Sequence, residues 1–547
     1  MDDFLVTISF FLIIIYSIIM LIGEFKSWVY VIVLAIIAAW LLLYPQIVSP
    51  YIVGIDSHYE RIIAESTLIN GYWDPNIREN VVNAALSIAM VVPIFTEVTA
   101  ISTDLTMKII MLIYPLMSIP IIWLLNKKLF SFSNKESFLS LMLLVGTSSY
   151  MLISVYCRQE IGLFVALILL YMLLVKEVSS SSSITIILLT IGLVFSHYSS
   201  AILFILLLSF SSLILKLLDK KEEMRFLMNS LVFVIFWLMY IVYATFAGIT
   251  YSVRNILISL LNWSTDHTSI VVQQQLNPTF KDVFFTINYF VNIIIILLLF
   301  FGAFYALYRQ FSVEKSSTSL SYKKYILLAL VYGTVILLSF LPGISEAYNP
   351  ERIYIMTIIL FNGFVIYGIK YLFTSLPSLL NINLKKHVPK INLGHTFIIF
   401  SSAFVLLHLL LQVGLPSELI YGNADSKYFG DSNHDIHYVL AEEVTAVNWL
   451  KEYKNENSTL FTDFYGRGRL PLQSYGNFSK SDFRDVLDRK SLNVKSSSNL
   501  FYQQKFELIT ANLLFAKDIE KIRKLNDYLE IDTSNIYNSG STKVYYF

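Results

Sequence analysis

The stretch FLVTISFFLIIIYSIIMLIG, from Phe4 to Gly23, decides what kind of protein this chain forms. It contains no charged residue, and about 20 apolar residues are enough for a helix to cross a bilayer. It is longer than the apolar core of a signal peptide, Asp2 and Asp3 precede it in place of a basic start, and no small-residue cleavage pattern follows it. We therefore expect a retained transmembrane helix.

The whole composition agrees with this first segment. Of 547 residues, 56% are hydrophobic and 14% are charged, against roughly 25% charged residues in soluble domains. About twelve apolar segments are long enough to span a membrane, and they lie roughly at 4 to 23, 28 to 45, 107 to 126, 137 to 155, 160 to 176, 184 to 197, 199 to 217, 228 to 248, 286 to 308, 324 to 341, 352 to 374 and 395 to 414. The sequence predicts a mainly α, polytopic membrane helix bundle.

The remaining composition excludes several classes. A net charge of +1 without a basic stripe gives no indication of a nucleic-acid partner. The single cysteine, Cys157, excludes an intramolecular disulfide and a cysteine-based zinc site. No G-x-x-x-x-G-K-[ST] motif is present, which argues against an ATP-driven pump.

Lysine and arginine in the short loops predict the orientation. About 17 of them fall on one side of the membrane and about 6 on the other, and the richer side is expected to face the cytoplasm. We therefore expect a multi-pass protein of the cell membrane whose N-terminus, first large loop at about 46 to 106, and residues after 414 lie outside. The apolar stretch 81 to 95 is either a helix lying in the interface, which we prefer, or a thirteenth span.

Near Gly414 long apolar runs give way to frequent charges, which predicts a transmembrane domain over 1–414 and a soluble exterior α/β domain over 415–547. EEVTAVNWLKEY from Glu442 predicts an amphipathic helix. STLFTDFYG from Ser458 predicts a strand, and the terminal IYNSGSTKVYYF predicts a hairpin. Asp463 and Arg467, in the loop after that strand, are candidate acceptor-binding residues or part of a surface turn.

The first exterior loop contains an unusually polar stretch, GIDSHYERIIAESTLINGYWDP at 54 to 75. Helical spacing would place Asp56 and Glu60 on one face of a short helix just outside a span, and it leaves open whether Arg61 joins them. A solvated helix with local ion pairs is one interpretation, and a catalytic face with Asp56 and Glu60 is the other. Asp56 and His58 are acceptable ligands for Mg or Mn, although ligands two residues apart on a helix diverge, so a divalent metal cofactor is left open.

The pattern Asp56-x-His58-x-Glu60, followed by GYWDP at 71 to 75, resembles the first-loop motif of the GT-C-type membrane glycosyltransferases. The resemblance implies a GT-C-like fold, an inverting reaction, and a role for Asp56 as catalytic base or metal ligand. The wider pattern also resembles a poorly characterised archaeal family of large predicted membrane proteins. The Trp-Trp-Asp-Tyr-Gly motif of oligosaccharyltransferases is missing, which argues against en bloc transfer to protein asparagine.

Three more polar clusters fall at predicted exterior ends of spans, around Arg158, His197 and Arg352. Arg158 is either a phosphate ligand or part of an ion pair with Glu160 that caps two helices. His197 is either a packing residue or one that binds phosphate or assists proton transfer. Arg352 is either a second phosphate contact or an interfacial anchor. The GT-C resemblance favours donor phosphate binding by Arg158, because members of that superfamily hold the phosphate of a polyprenyl-linked donor with exterior-facing basic residues. His197 and Arg352 are further candidates for binding that phosphate.

Together these features predict a membrane glycosyltransferase that moves a sugar from a polyprenyl-phosphate-linked donor to a surface glycan, a lipid-linked saccharide or a protein. Its partners would be the lipid-linked donor, that acceptor and membrane lipids, with no nucleic acid. A transporter or flippase of lipid-linked substrates is the main alternative, although transporter sites usually lie at the midplane between repeats. A non-catalytic scaffold that presents the C-terminal domain is a third.

Overall fold

The fold was analysed from a computed structural model of the chain. It describes residues 3–75, 81–147, 150, 157–175, 180–218, 232–235, 237, 283–312, 320–339, 350–374, 393–422, 439, 441–453, 460–462, 483–485, 500–504, 534–538 and 542–546.

The described part of the chain is a mainly α-helical bundle, followed by a small mixed sheet. The helices are α1 Asp3–Ile22, α2 Ser27–Val48, α3 Ile55–Asn70, α4 Val92–Thr99, α5 Thr103–Leu129, α6 Asn134–Val145, α7 Cys157–Leu174, α8 Ser180–Ser196, α9 Tyr198–Leu218, α10 Val283–Ser312, α11 Leu320–Ser339, α12 Pro350–Phe361, α13 Gly363–Thr374, α14 Leu393–Val413, α15 Leu415–Tyr421 and α16 Ala441–Tyr453. The mainly α, polytopic prediction is confirmed.

Six helices in the described part, α1, α2, α5, α7, α10 and α14, are long and apolar enough to cross a membrane. The bent pair α12 and α13 would add a seventh. The predicted span at 137 to 155 is interrupted, because α6 ends at Val145 and a turn follows at Gly146. Most of the predicted span at 228 to 248 lies outside the described residues, so the total of about twelve spans stays a prediction.

The predicted span at 352 to 374 is wrong as a single helix. It forms α12 and α13, which meet at Asn362 with a bend of 63°. Ser140 donates a hydrogen bond to Asn362 Oδ1, Asn126 Nδ2 donates to the same oxygen at 3.4 Å, and Asn362 Nδ2 donates to the Ile359 carbonyl at 3.2 Å. This buried amide network satisfies polar groups at the break, which apolar surroundings would otherwise leave unpaired.

Helix α13 also packs closely on α10, because glycines stand where the two backbones meet. A Cβ added at Gly302 would lie 2.1 Å from the carbonyl oxygen of Phe364, and one added at Gly368 would lie 2.5 Å from that of Leu298. Small residues at such positions allow the backbones of two membrane helices to approach closely. The contact fixes α13, and through the bend it fixes the direction of α12.

The stretch at 81 to 95 forms no spanning helix. It is divided into a 3₁₀ helix at Val81–Ala84, a π-helical turn at Ser87–Val91 and the start of α4. Ser87 Oγ donates to the carbonyl of Ser196 at 3.1 Å, which ties this part of the first loop to the end of α8. Its orientation relative to the membrane surface stays a prediction.

The predicted helix, strand and terminal hairpin after residue 440 are confirmed. Helix α16 packs against strand β5 of a five-stranded sheet with the order β2-β1-β3-β5-β4. The strands are β1 Leu460–Thr462, β2 Phe483–Asp485, β3 Leu500–Gln504, β4 Ser534–Asn538 and β5 Thr542–Tyr546. Strand β1 runs parallel to β2 and β3, whereas β5 runs antiparallel to β3 and β4. The domain boundary near 414 stays a prediction.

Candidate functional site

Helix α3 begins after one glycine and ends at another, and both glycines have a positive φ. Gly54 precedes it with φ of 106°, and Gly71 ends it with φ of 71° and donates its N–H to the Leu68 carbonyl at 3.3 Å. Residues with a Cβ rarely adopt these angles. The helix buries Ile63 and Ala64, and it presents Asp56 from its first turn.

Asp56 lies between two arginines that come from distant parts of the sequence. Its Oδ2 is 2.5 Å from Nη2 of Arg352, in the first turn of α12, and 3.5 Å from Nη2 of Arg158, at the start of α7. Glu60, one helical turn after Asp56, contacts Nε of Arg158 through Oε1 at 3.3 Å. The structure therefore brings together four of the predicted site residues, and it confirms that Asp56 and Glu60 share a face.

Exposure changes from one side of this cluster to the other. The side chains of Asp56 and Arg352 are each 25% exposed, whereas Arg158 is 8% and Glu60 0% exposed. The Asp56–Arg352 pair therefore forms the open side of the site. Arg158 and Glu60 form its buried wall.

Burial raises the pKa of Glu60 to about 7. The positive charge of Arg158 opposes this rise, whereas the negative charge of Asp56 adds to it. Behind Glu60 lies the buried Glu160, whose two carboxyl oxygens have no hydrogen-bond partner among the described residues. Burial, with the nearby negative charge of Asp56, therefore favours retention of a proton on Glu60.

His197 lies between α8 and α9, where its packing depends on Gly162. A Cβ added at Gly162 would lie 2.9 Å from Cβ of His197. The Ser200 N–H donates to His197 Nδ1 at 3.3 Å, and the Ser200 hydroxyl lies 2.7 Å from the same nitrogen. Because Nδ1 accepts, the proton of the neutral ring is on Nε2. Burial lowers the pKa of His197, and the positive charges of Arg158 and Arg352 lower it further, so the neutral form of the ring is favoured.

Arg61 does not join the face formed by Asp56 and Glu60. Its Nε lies 2.6 Å from Oδ1 of Asp104 on α5, and its Nη2 lies 3.4 Å from Glu65. Five residues along a helix turn the side chain by about 140° from its starting direction, so Arg61 points to a different neighbour. The question that the sequence left open for Arg61 is thus answered by its pairing with Asp104.

Asp56 and His58, the possible metal ligands, do not form a coordination cluster in the part of the chain that the structure describes. His58 is buried, whereas Asp56 is turned toward the two arginines. Within the residues that the structure describes, no three His, Cys, Asp or Glu side chains converge on a possible ion position. Asp463 and Arg467, the candidate acceptor-binding residues, lie outside the described residues.

Sequence reasoning missed two residues near the site, Asp104 and Lys108 on α5. Asp104 contacts Arg61, and Lys108 Nζ donates to the carbonyls of Gln46 and Ser49 at 2.8 and 2.6 Å. The signal was present, since DLTMK places an acid and a lysine four residues apart at the predicted exterior end of a span.

A family model described as "Predicted membrane protein (DUF2206)" matches residues 182–545, which is more than half of the chain. The chain belongs to the DUF2206 family. This confirms the predicted resemblance to a family of large membrane proteins. The matched part of this DUF2206 chain includes His197 and Arg352, whereas Asp56 and Arg158 precede it. No curated protein matches it by sequence.

The solved structures similar to the DUF2206 chain include ArnT and an archaeal oligosaccharyltransferase, both of the GT-C fold. ArnT from Cupriavidus metallidurans, bound to undecaprenyl phosphate, shares 10% identity at a TM-score of 0.49, over 94% of this chain and 97% of that chain. The oligosaccharyltransferase AglB from Archaeoglobus fulgidus, with an inhibitory peptide and a dolichol-phosphate, shares 12% identity at a TM-score of 0.48, over 82% of this chain and 63% of that chain. The Archaeoglobus fulgidus enzyme in complex with Zn and sulfate shares 10% identity at a TM-score of 0.45, over 81% and 61% of the two chains.

Proposed function

We propose that this DUF2206 protein is a membrane glycosyltransferase. It transfers a sugar from a polyprenyl-phosphate-linked donor, at the exterior face, to a surface glycan, a lipid-linked saccharide or a protein. The observation that carries the proposal is the Asp56 carboxylate, held between the guanidinium groups of Arg352 and Arg158 on the open side of the site.

The two arginines support a phosphate as part of the substrate. Guanidinium groups bind phosphate oxygens through paired hydrogen bonds, and this geometry is what distinguishes arginine from lysine at such sites. Arg352 also lies in the first turn of α12, which begins at Pro350, so the positive end of the helix dipole adds to its charge. A phosphate in place of the Asp56 carboxylate would satisfy the same donors.

The reaction needs one proton acceptor and one stabiliser of the leaving group. Asp56 takes the proton of the acceptor hydroxyl while the hydroxyl oxygen attacks the anomeric carbon of the donor sugar. The bond between that carbon and the donor phosphate oxygen breaks, and its electron pair leaves on the phosphate, where Arg158 and Arg352 offset the developing charge. A single displacement inverts the anomeric configuration, as the GT-C resemblance implies.

The observed ion pairs support one order for these events. Asp56 Oδ2 is engaged by both guanidinium groups. It can receive the proton of an acceptor after the arginines have turned to the donor phosphate. Donor binding therefore precedes activation of the acceptor. We also propose His197, near Arg158 and Arg352, as a further contact of the donor phosphate.

The test is transfer of a radiolabelled sugar from a panel of polyprenyl-phosphate donors, in membranes that contain the wild type or Asp56→Asn at matched expression. We expect transfer by the wild type and its loss in Asp56→Asn. Glu97→Gln is the matched control, because Glu97 is an exposed acid of the same loop, on α4. A parallel reaction with a chelator tests the proposal that Mg or Mn takes part.

Two outcomes would redirect the proposal. Transfer that persists in Asp56→Asn would remove Asp56 from the mechanism. If the wild type binds the donor lipid but transfers no sugar, the result would favour a transporter or flippase. If transfer is found, substitution of Asp463 or Arg467 tests the further proposal that they bind the acceptor.

A further inference from the structure

The segment that carries Asp56 is held on both sides by one neighbouring helix. Upstream, Lys108 of α5 donates to two backbone carbonyls at the end of α2, those of Gln46 and Ser49. Downstream, Asp104 of α5 pairs with Arg61 of α3 at 2.6 Å. Asp104 and Lys108 are four residues apart, so they lie on the same face of α5.

The upstream contact fixes where the connection to α3 begins. The last carbonyls of a helix have no partner within the helix, and Lys108 supplies one for two of them. Its positive charge also complements the negative end of the α2 dipole. Ser49 extends this contact, since its Oγ accepts the N–H of Tyr51 at 3.1 Å and donates to the carbonyl of Val439 at 3.3 Å.

The downstream contact fixes the rotation and position of α3. Arg61 and Asp104 are 14% and 19% exposed, so their pair is partly shielded from water. Apolar packing would hold two helices together with less demand on their register, whereas a short charged pair specifies one alignment. The segment between the two contacts contains Asp56, and its distance to Arg352 depends on both.

We infer that Asp104 and Lys108 are positioning residues, which hold Asp56 in register with Arg158 and Arg352. Neither contacts an atom that the proposed reaction changes, so Asp104 acts through α3 and Lys108 through the connection from α2 to α3. The inference rests on the proposed function for its effect on transfer, but the contacts it requires can be tested by themselves.

The structural test uses two spin labels on the full chain. Asn70 on α3 and Met117 on α5 are exposed, whereas the native Cys157 is buried, so cysteines introduced at the first two positions take the labels. We expect a narrow distance distribution in the wild-type background and a broader one in Asp104→Asn and in Lys108→Met. The reversed pair, Arg61→Asp with Asp104→Arg, should restore the narrow distribution that Arg61→Asp alone loses.

The kinetic test measures transfer by the same variants without labels. Displacement of a reacting group by about 1 Å can cost on the order of 100-fold in rate. We expect Asp104→Asn and Lys108→Met to lower kcat about 10- to 100-fold, with the donor KM changed less than about threefold, and the reversed pair to recover most of kcat. The free energy of unfolding is measured in parallel. A purely structural role would lower this free energy without lowering kcat at a nearly constant donor KM.

Unchanged distances in the single variants, or a reversed pair no better than Arg61→Asp alone, would overturn the inference. Absence of transfer by the wild type would instead refute the proposed function, and the label distances would still decide whether the two contacts position α3.

Discussion

The pH dependence of stability tests the buried carboxyl group of Glu60. Burial raises the pKa of Glu60 to about 7 from the ordinary 4.5. Between these two values the folded protein keeps a proton that the unfolded chain releases. The free energy of unfolding therefore falls as the pH rises through this window, and the effect is complete above about pH 7. Glu60→Gln removes the titration but leaves an amide oxygen near Arg158.

The expected size of the effect follows from the two pKa values. One pH unit corresponds to about 1.4 kcal/mol, so the interval from 4.5 to about 7 corresponds to about 3 kcal/mol. From pH 4 to pH 8 the wild type should lose about 3 kcal/mol more stability than Glu60→Gln, because titration of all other groups is common to both proteins.

Denaturant titrations in detergent, at pH 4 and pH 8, give this difference. Cys157 is the only cysteine and is buried, so its reaction with a thiol-reactive dye reports unfolding. Glu97→Gln, at an exposed acid on α4, should retain the pH dependence of the wild type. Equal pH dependence in Glu60→Gln and the wild type would refute the argument that burial holds a proton on Glu60.

The two other predictions concern the phosphate contact and the His197 turn. Arg352→Gln should weaken binding of a short polyprenyl phosphate about 10- to 100-fold, since a hydrogen bond to a charged group contributes about 1.5 to 3 kcal/mol. Lys128→Gln, at an exposed lysine near the other end of α5, is the control and should leave the Kd unchanged. An equal Kd in both variants would contradict the assignment of Arg352 as a phosphate contact. Gly162→Ala should lower the free energy of unfolding by about 1 to 3 kcal/mol, because its Cβ would lie 2.9 Å from Cβ of His197. Gly192→Ala, where no atom lies within 4 Å of the added Cβ, is its control and should be neutral or stabilising in the same denaturant titration. A Gly162→Ala protein as stable as this control would show that the turn has room to move.

Much of the site could be predicted because charge is rare in this chain and its position is therefore informative. Polar clusters at 56, 158, 197 and 352 all fall at predicted exterior ends of apolar segments, and the structure brings Asp56, Arg158 and Arg352 into direct contact. Helical spacing correctly placed Glu60 beside Asp56. It does not reveal which neighbour a side chain meets, so the pairing of Arg61 with Asp104 could not be predicted.

The broken span shows a second limit of sequence patterns. Hydropathy averaged over about 20 residues does not detect a single amide in an apolar run. The bend at Asn362 depends on hydrogen bonds with Ser140 and Asn126, which are distant in the sequence. For the same reason the predicted span at 107 to 126 does not reveal the role of Lys108, since that role depends on carbonyls of another helix.

The central claim is that Asp56 accepts the proton while the arginines bind the donor phosphate. The most direct measurement compares Asp56→Asn with the wild type for two quantities, the Kd for a polyprenyl-phosphate-linked donor and the rate of sugar transfer from the bound donor. We predict a Kd that is unchanged or lower, because the competing carboxylate is gone, and a transfer rate reduced by about 100- to 10,000-fold. A normal transfer rate in Asp56→Asn, or a loss of transfer that follows entirely from loss of donor binding, would contradict the account.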